Sequence, residues 1–287
     1  MRFAGALLAL CSCNQIFGLD KTIATGAADA TYFDAPADAP FACPPVGMTP
    51  QFSRLFHQIP QRCTEWSSSQ QAGRAIAMCF EPAMQIGAGP YDGPLELVPG
   101  LETVNKIHFD APRMTPEGDQ VVIRDWNEST VVGRIGVYQR TETGLTYSHE
   151  IKLPNNVTTD SFVRYGSPSR GPVRRMFARN NTGGLQEIEV DASGASNLVR
   201  VYTEADFGVT SLAGLPPSMT PDGLRIVFYA AASESGIFYS DRASVNESFR
   251  AATLLMNVPG TADAFMTENC ERIYFSALGS VLWIQRL

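Results

Sequence analysis

A ten-residue pattern recurs along this chain at intervals near fifty residues, and this constrains the fold more than any other feature. Met114-Thr115-Pro116-Glu117-Gly118 leads into Val121-Val122-Ile123, and Met219-Thr220-Pro221-Asp222-Gly223 leads into Ile226-Val227-Phe228. Met266-Thr267-Glu268-Asn269-Cys270 leads into Ile273-Tyr274-Phe275. Weaker copies run from Gly166 through Ser167-Pro168 to Phe177 and from Ser67 to Met78. Taken at Ser69, Pro116, Pro168, Pro221 and Glu268, the copies stand 47, 52, 53 and 47 residues apart. A period of this size makes the chain an array of one supersecondary unit, and the two-domain expectation from its 287 residues falls away.

The unit is readable. In Thr-Pro-Asp-Gly the proline presets φ, the aspartate suits the next position and the glycine closes a tight turn. The unbroken apolar run behind each turn is the pattern of a strand covered on both faces. A second run follows each copy: Arg134–Tyr138, Leu185–Val190, Gly236–Ser240 and Val281–Ile284, and a further one spans Tyr147–Leu153. Four short strands per fifty residues make one propeller blade. The segments Met219–Phe228 and Gly236–Ser240, with Arg242–Phe249 behind them, resemble the TolB-like, WD-type β-propeller repeat of bacterial exported proteins. The fold expected is therefore all-β, a propeller of four-stranded antiparallel blades covering residues 43–287. Five turn copies predict five blades, with six as the alternative. Because the last copy has only two clear strands, the segment Phe52–Ile59 is expected to supply its outer strands and close the ring.

The residues before the repeats have a different character. Met1-Arg2, the apolar run Phe3–Leu10 and the small residues up to Ser12 have the anatomy of a secretory signal, predicted over residues 1–12. Eight apolar residues are too short for the ~30 Å hydrocarbon core of a bilayer. Leu10-Cys11-Ser12-Cys13 resembles a bacterial lipobox, with Cys13 as the lipid acceptor; cleavage without lipid is the competing reading. Residues 13–42 are rich in Ala, Thr and Asp and read as a flexible tether. These features place the chain on the exported side of a membrane, and Asn14 favours the outer one. The net charge of −7, with 22 basic against 29 acidic residues, argues against a nucleic-acid partner.

Excluding Cys11 and Cys13 leaves Cys43, Cys63, Cys79 and Cys270 in an oxidising compartment. Cys63 and Cys79 are centred on the Gln70–Gly73 turn and are expected to pair. Pairing of Cys43 with Cys270 requires that the N-terminal segment close the last blade. His57, His108 and His149 stand at no metal-ligand spacing and read as structural, on different blades or connections. Gly-x-Ser-x-Gly, His-Glu-x-x-His and a phosphate-binding glycine loop are all missing from the sequence, so no catalytic residue, metal site or cofactor is assigned. Asp110, Asp160 and Asp263 each precede a turn copy, at positions which the resemblance places near the central channel. Converging there they would bind a polar partner or a cation such as Ca²⁺; the competing reading is that they cap local backbone. Trp66, Trp126 and Tyr91 are candidate stacking surfaces, or else blade-core aromatics. The function expected is that of a monomeric, lipid-anchored binding module for an envelope protein or glycan. A five-bladed carbohydrate-active enzyme with channel carboxylates, or a structural lipoprotein, are the alternatives.

Overall fold

The computed structural model describes residues 42–80, 84–99, 101, 107–127, 132–142, 144–154, 164–179, 185–212, 216–258, 260, 263–277 and 279–287. The signal, Cys13, all but one residue of the tether, and Asp160 lie outside the described residues.

The chain forms five four-stranded antiparallel sheets. After β1 (His57–Gln58), blade 1 comprises β2 (Cys63–Ser69), β3 (Arg74–Cys79), β4 (Gln85–Pro90) and β5 (Glu96–Leu97). Blade 2 comprises β6 (Ile107–Met114), β7 (Gln120–Asn127), β8 (Val132–Thr141) and β9 (Gly144–Glu150). Blade 3 comprises β10 (Arg164–Tyr165), β11 (Arg174–Arg179), β12 (Leu185–Val190) and β13 (Ser196–Tyr202). Blade 4 comprises β14 (Ser218–Met219), β15 (Arg225–Ala231), β16 (Ser235–Asp241) and β17 (Thr253–Asn257). Blade 5 takes β18 (Ala264–Met266), β19 (Arg272–Ala277) and β20 (Ser280–Gln285) from the end of the chain, and β1 from its beginning. The register His57↔Trp283 and Gln58↔Leu282 closes the ring. The N-terminal segment thus contributes one outer strand, plus a single bridge from Phe52 to Arg286, where several strands were expected. The ring has five blades, and the six-blade alternative is set aside.

The first strands of blades 1, 2, 4 and 5 meet around the hub, β2 with β6 and β18, and β18 with β14, while β14 also meets β11, the second strand of blade 3. The second strands are covered on both faces, as their unbroken apolar runs predict: Ile226, Val227 and Phe228 are all buried. Apolar material between blades holds neighbours together. At the joint of blades 3 and 4, Phe177, Tyr202, Phe207, Phe228 and Phe249 interlock, each burying a side chain worth about 1.5–3 kcal/mol in transfer from water. Trp66 is a core residue of this kind, stacked on Tyr274 at 4.9 Å.

A hydroxyl clasp between the first two strands gives the repeat its phase. Thr220 accepts the Arg225 N–H at 3.1 Å through Oγ1, and its own N–H donates to the Arg225 carbonyl. Thr115 does the same with Gln120, Thr267 with Arg272, and Ser169 with Arg175. Ser69 stands opposite Arg74 at the corresponding place. The sequence alignment on Pro168 is therefore out of phase: Ser169, not Ser167, does the work of Thr115. The turn of blade 3 is one residue longer, and Pro168 lies on the hub side of the clasp. Cys270 also acquires a meaning. It takes the left-handed position that glycine fills in blades 2 and 4, with φ of 57° against 71° at Gly118 and 70° at Gly223.

Candidate functional site

The clasp residues provide a common ruler, and four residues ahead of each lie Glu65, Ala111, Tyr165, Pro216 and Asp263. At the first two of these the innermost strand bulges. Two residues, Glu65-Trp66 in β2 and Ala111-Pro112 in β6, face one on the neighbouring strand, and Glu65 and Ala111 adopt positive φ of 57° and 50°. The bulge in β2 turns the Glu65 side chain toward β6, where Oε2 accepts the Ala111 N–H at 2.7 Å.

Around this point the channel carries an ionic network. Arg113 of blade 2 donates to the Glu65 carbonyl of blade 1 at 3.2 Å and to the Asp263 carboxylate, beside blade 5, at 3.0 Å. Both members of this pair are buried, and since blade 1 stands between blades 2 and 5, the guanidinium passes along the inner edge of the intervening blade. Arg124 grips Asp110 through two donors, Nε at 2.6 Å and Nη2. The fully buried Tyr165 brings its phenol among Asp110, Arg113, Arg124 and Glu65; burial, then the Asp110 charge, hold its pKa well above the ordinary value. Burial likewise raises the Glu65 pKa, opposed by Arg113 and reinforced by Asp110 and Asp263. The proton is thus retained more readily on Glu65 than on an ordinary glutamate.

On the turn face, Arg170 spans the mouth of the hub. It lies 3.6 Å from Glu117 of blade 2 and 3.5 Å from Glu268 of blade 5, and donates to Gln71 of blade 1 at 2.8 Å. Desolvation raises the Glu268 pKa, with Arg170 acting against it. A shallow bowl of about 510 Å³ opens there, bounded by Gln70, Arg170, Asp222, Glu268 and Asn269 and by the incoming Cys43. Cys43 is disulfide-bonded to Cys270, and Cys63 to Cys79.

Of the three aspartates singled out in the sequence, Asp110 and Asp263 reach the hub network at non-equivalent repeat positions, each engaged by an arginine. Among the described residues no three His, Cys, Asp or Glu side chains stand in a metal-holding arrangement. Sequence reasoning missed Glu65, Arg113, Arg124 and Arg170. Once the clasp supplies the phase, Glu65 becomes the counterpart of Asp263, each four residues ahead of its clasp hydroxyl at Ser69 and Thr267. The histidines form no cluster: His57 stacks on Trp283, while His108 and His149 fall on the innermost and outermost strands of one blade rather than on different ones.

The sequence matches no described family model and no curated protein. Several solved structures share the architecture. A putative TolB from Agrobacterium tumefaciens is 16% identical, over 76% of this chain and 71% of that one, with a TM-score of 0.46. A TolB from Acinetobacter baumannii is 12% identical, over 78% and 54%, at 0.44. A putative glycoside hydrolase from Bacteroides ovatus is 11% identical, over 86% and 96%, at 0.49. The chain is a five-bladed β-propeller. Likeness at this level reaches no further than the propeller architecture.

Proposed function

We propose that this propeller is an exported lipoprotein, acylated at Cys13 and tethered to the outer membrane, acting as a non-catalytic binding module for an envelope protein or glycan. One observation carries the non-catalytic part: Asp110 and Asp263 are both committed to arginines at the hub. Hydrolysis of a glycosidic bond needs one carboxyl that protonates and a second that attacks or activates water. A carboxylate whose oxygens accept from a guanidinium is hydrogen-bonded away from a substrate. Two disulfides among the four cysteines described support an oxidising compartment. The lipobox and the tether support the anchor.

The test has two arms. Labelled palmitate should enter the wild-type chain and not a Cys13→Ala variant; equal labelling overturns the anchor. Affinity capture from envelope extract should recover a specific partner with the unacylated chain. Recovery of none, under conditions that retain the partner of a control lipoprotein, or turnover of glycosides by the purified protein, overturns the binding-module reading.

A further inference from the structure

The turns that carry the clasps form a closed circle of contacts on one face of the ring. Ser69 donates to the Pro116 carbonyl at 2.6 Å, joining blades 1 and 2, and Arg174 meets Glu117 at 3.3 Å, joining blades 3 and 2. The Arg170 N–H donates to the Pro221 carbonyl at 2.8 Å, joining blades 3 and 4. Between blades 4 and 5 the incoming segment takes over: Arg225 donates to the Pro44 carbonyl at 2.6 Å, beside the Cys43–Cys270 bridge. Gln70 closes the circle, its N–H donating to the Glu268 carboxylate at 3.2 Å and its side-chain oxygen accepting the Asn269 N–H at 3.1 Å.

Those contacts join neighbours, whereas the Arg170 side chain crosses the circle. From the blade 3 turn its guanidinium reaches Gln71 of blade 1 and Glu268 of blade 5, neither of which adjoins blade 3, as well as Glu117 of blade 2. With the backbone bond to Pro221, this one residue touches all four other blades. The reach comes from the longer turn: Ser169 and its clasp partner Arg175 are six positions apart, against five for Thr115 and Gln120, Thr220 and Arg225, and Thr267 and Arg272. Beyond Arg170 the turn is loosely held. Pro172 and Val173 are exposed, Gly171 takes a φ of 116° that favours glycine, and none of the three makes a hydrogen bond among the described residues.

Arg170 keeps about half of its surface in water, and its carboxylate contacts at 3.5 and 3.6 Å are of the part-exposed kind that hold weakly and are lost when either charge is lost. Glu268 is the more sheltered of the two carboxylates. It faces Arg170 from blade 3, Glu117 from blade 2, and the Ser69 hydroxyl and Gln70 N–H from blade 1, while Asp222 of the same bowl is held by Arg225. Because desolvation raises its pKa, Glu268 takes up a proton before an ordinary glutamate does as the pH falls. What then remains to Arg170 across the mouth is a hydrogen bond to the exposed amide of Gln71.

We propose that the blade 3 turn is an acid-released latch across the mouth of the hub: Arg170 ties the turns of blades 1 and 5 to blade 3 while Glu268 is ionised, and swings free of them once Glu268 is protonated. The latch depends on neither the anchor nor the partner proposed above.

Hydrogen–deuterium exchange of the purified protein, read by mass spectrometry on fragments covering the 69–73 and 267–271 turns, tests this. At neutral pH Arg170→Ala should exchange in both turns about two- to fivefold faster than the wild type, the ratio that corresponds to losing a part-exposed ion pair. Glu268→Gln keeps an oxygen for the Gln70 N–H, mimics the protonated acid and should do the same; it decides the matter if Arg170→Ala misfolds. Lowering the pH to 4.5 and below should bring the wild type to the rate of the variants, once the intrinsic pH dependence of exchange is corrected for. Arg54→Ala, an exposed arginine outside the mouth, should follow the wild type throughout. Wild-type exchange of both turns in Arg170→Ala and Glu268→Gln, acceleration confined to the adjoining turns of blades 2 and 4, or a wild type whose corrected rates do not move with acid overturns the proposal.

Discussion

At the residue scale, Glu65 combines a left-handed backbone, a hydrogen bond to Ala111 and a carboxyl whose proton is held by burial. A folded-state pKa above the ordinary 4.5 means that the native chain binds more protons than the unfolded one between the two values. Stability from this group is therefore full below 4.5 and falls as pH rises through the folded pKa. Glu65→Gln keeps an oxygen to accept the Ala111 N–H and removes the titration. The variant should gain on the wild type as pH rises above 4.5, and the gain should level off beyond the folded pKa; a constant difference in urea midpoints across pH would refute this. Glu187 is a second buried acidic residue. It is fully buried against Arg242 at 2.8 Å, and the Tyr202 hydroxyl donates to it at 3.2 Å. Arg242→Met leaves the buried carboxylate only the longer contact to Arg175 at 3.5 Å and the Tyr202 hydroxyl, and should cost about 3 kcal/mol by urea unfolding, while Arg242→Met/Glu187→Leu should recover a large part of that loss. Neither residue announced itself in the sequence. Charged side chains inside strand-like runs look like solvent-facing positions until the neighbouring blade supplies a partner.

At the element scale, the turn and the strand behind it were legible because their physics is local. Proline and glycine set the turn and the unbroken apolar run sets two-sided burial, so the strands at 185–190 and 225–231 fall where sequence patterning places them. Phase was less legible. The clasp needs only a hydroxyl and tolerates Ser or Thr, so aligning on the turn mislaid blade 3, and setting Ser69 against Glu268 instead of Thr267 hid the equivalence of Glu65 with Asp263. Thr220→Val tests the clasp. Valine matches the shape and strands the buried Arg225 N–H, which should cost about 1–3 kcal/mol. Asp222→Ala removes a half-exposed partner of Thr220 and should cost less. Equal midpoints for Thr220→Val and wild type in urea unfolding would remove the clasp from the account of the repeat.

At the scale of the whole molecule, a ring has to be held where its chain ends meet, and three devices act at that seam. β1 pairs with β20, the Arg113–Asp263 pair joins blades on either side of blade 1, and Cys43–Cys270 links positions 227 residues apart. The closing strand could be anticipated because blade 5 was visibly short of strands; the arginine that crosses the hub could not, because its partner lies 150 residues away. The disulfide acts on the unfolded chain. Closing a loop of 227 residues removes more chain entropy than closing the 16-residue loop of Cys63–Cys79, about 5 against about 3 kcal/mol in the loop-closure model. Cys43→Ser/Cys270→Ala should therefore destabilise the propeller more than Cys63→Ser/Cys79→Ala. Cys270 also bears the left-handed turn position that other blades give to glycine, at a cost of about 1–2 kcal/mol for a residue with a Cβ. Cys43→Ser/Cys270→Gly lacks the bridge but returns glycine to that turn, and should exceed its alanine counterpart by about 1 kcal/mol in urea unfolding. If the alanine and glycine variants prove equally stable, the bond and not the backbone governs that turn, and if removing either disulfide costs the same, the seam is held by strand pairing and packing rather than by the long loop that the bridge closes.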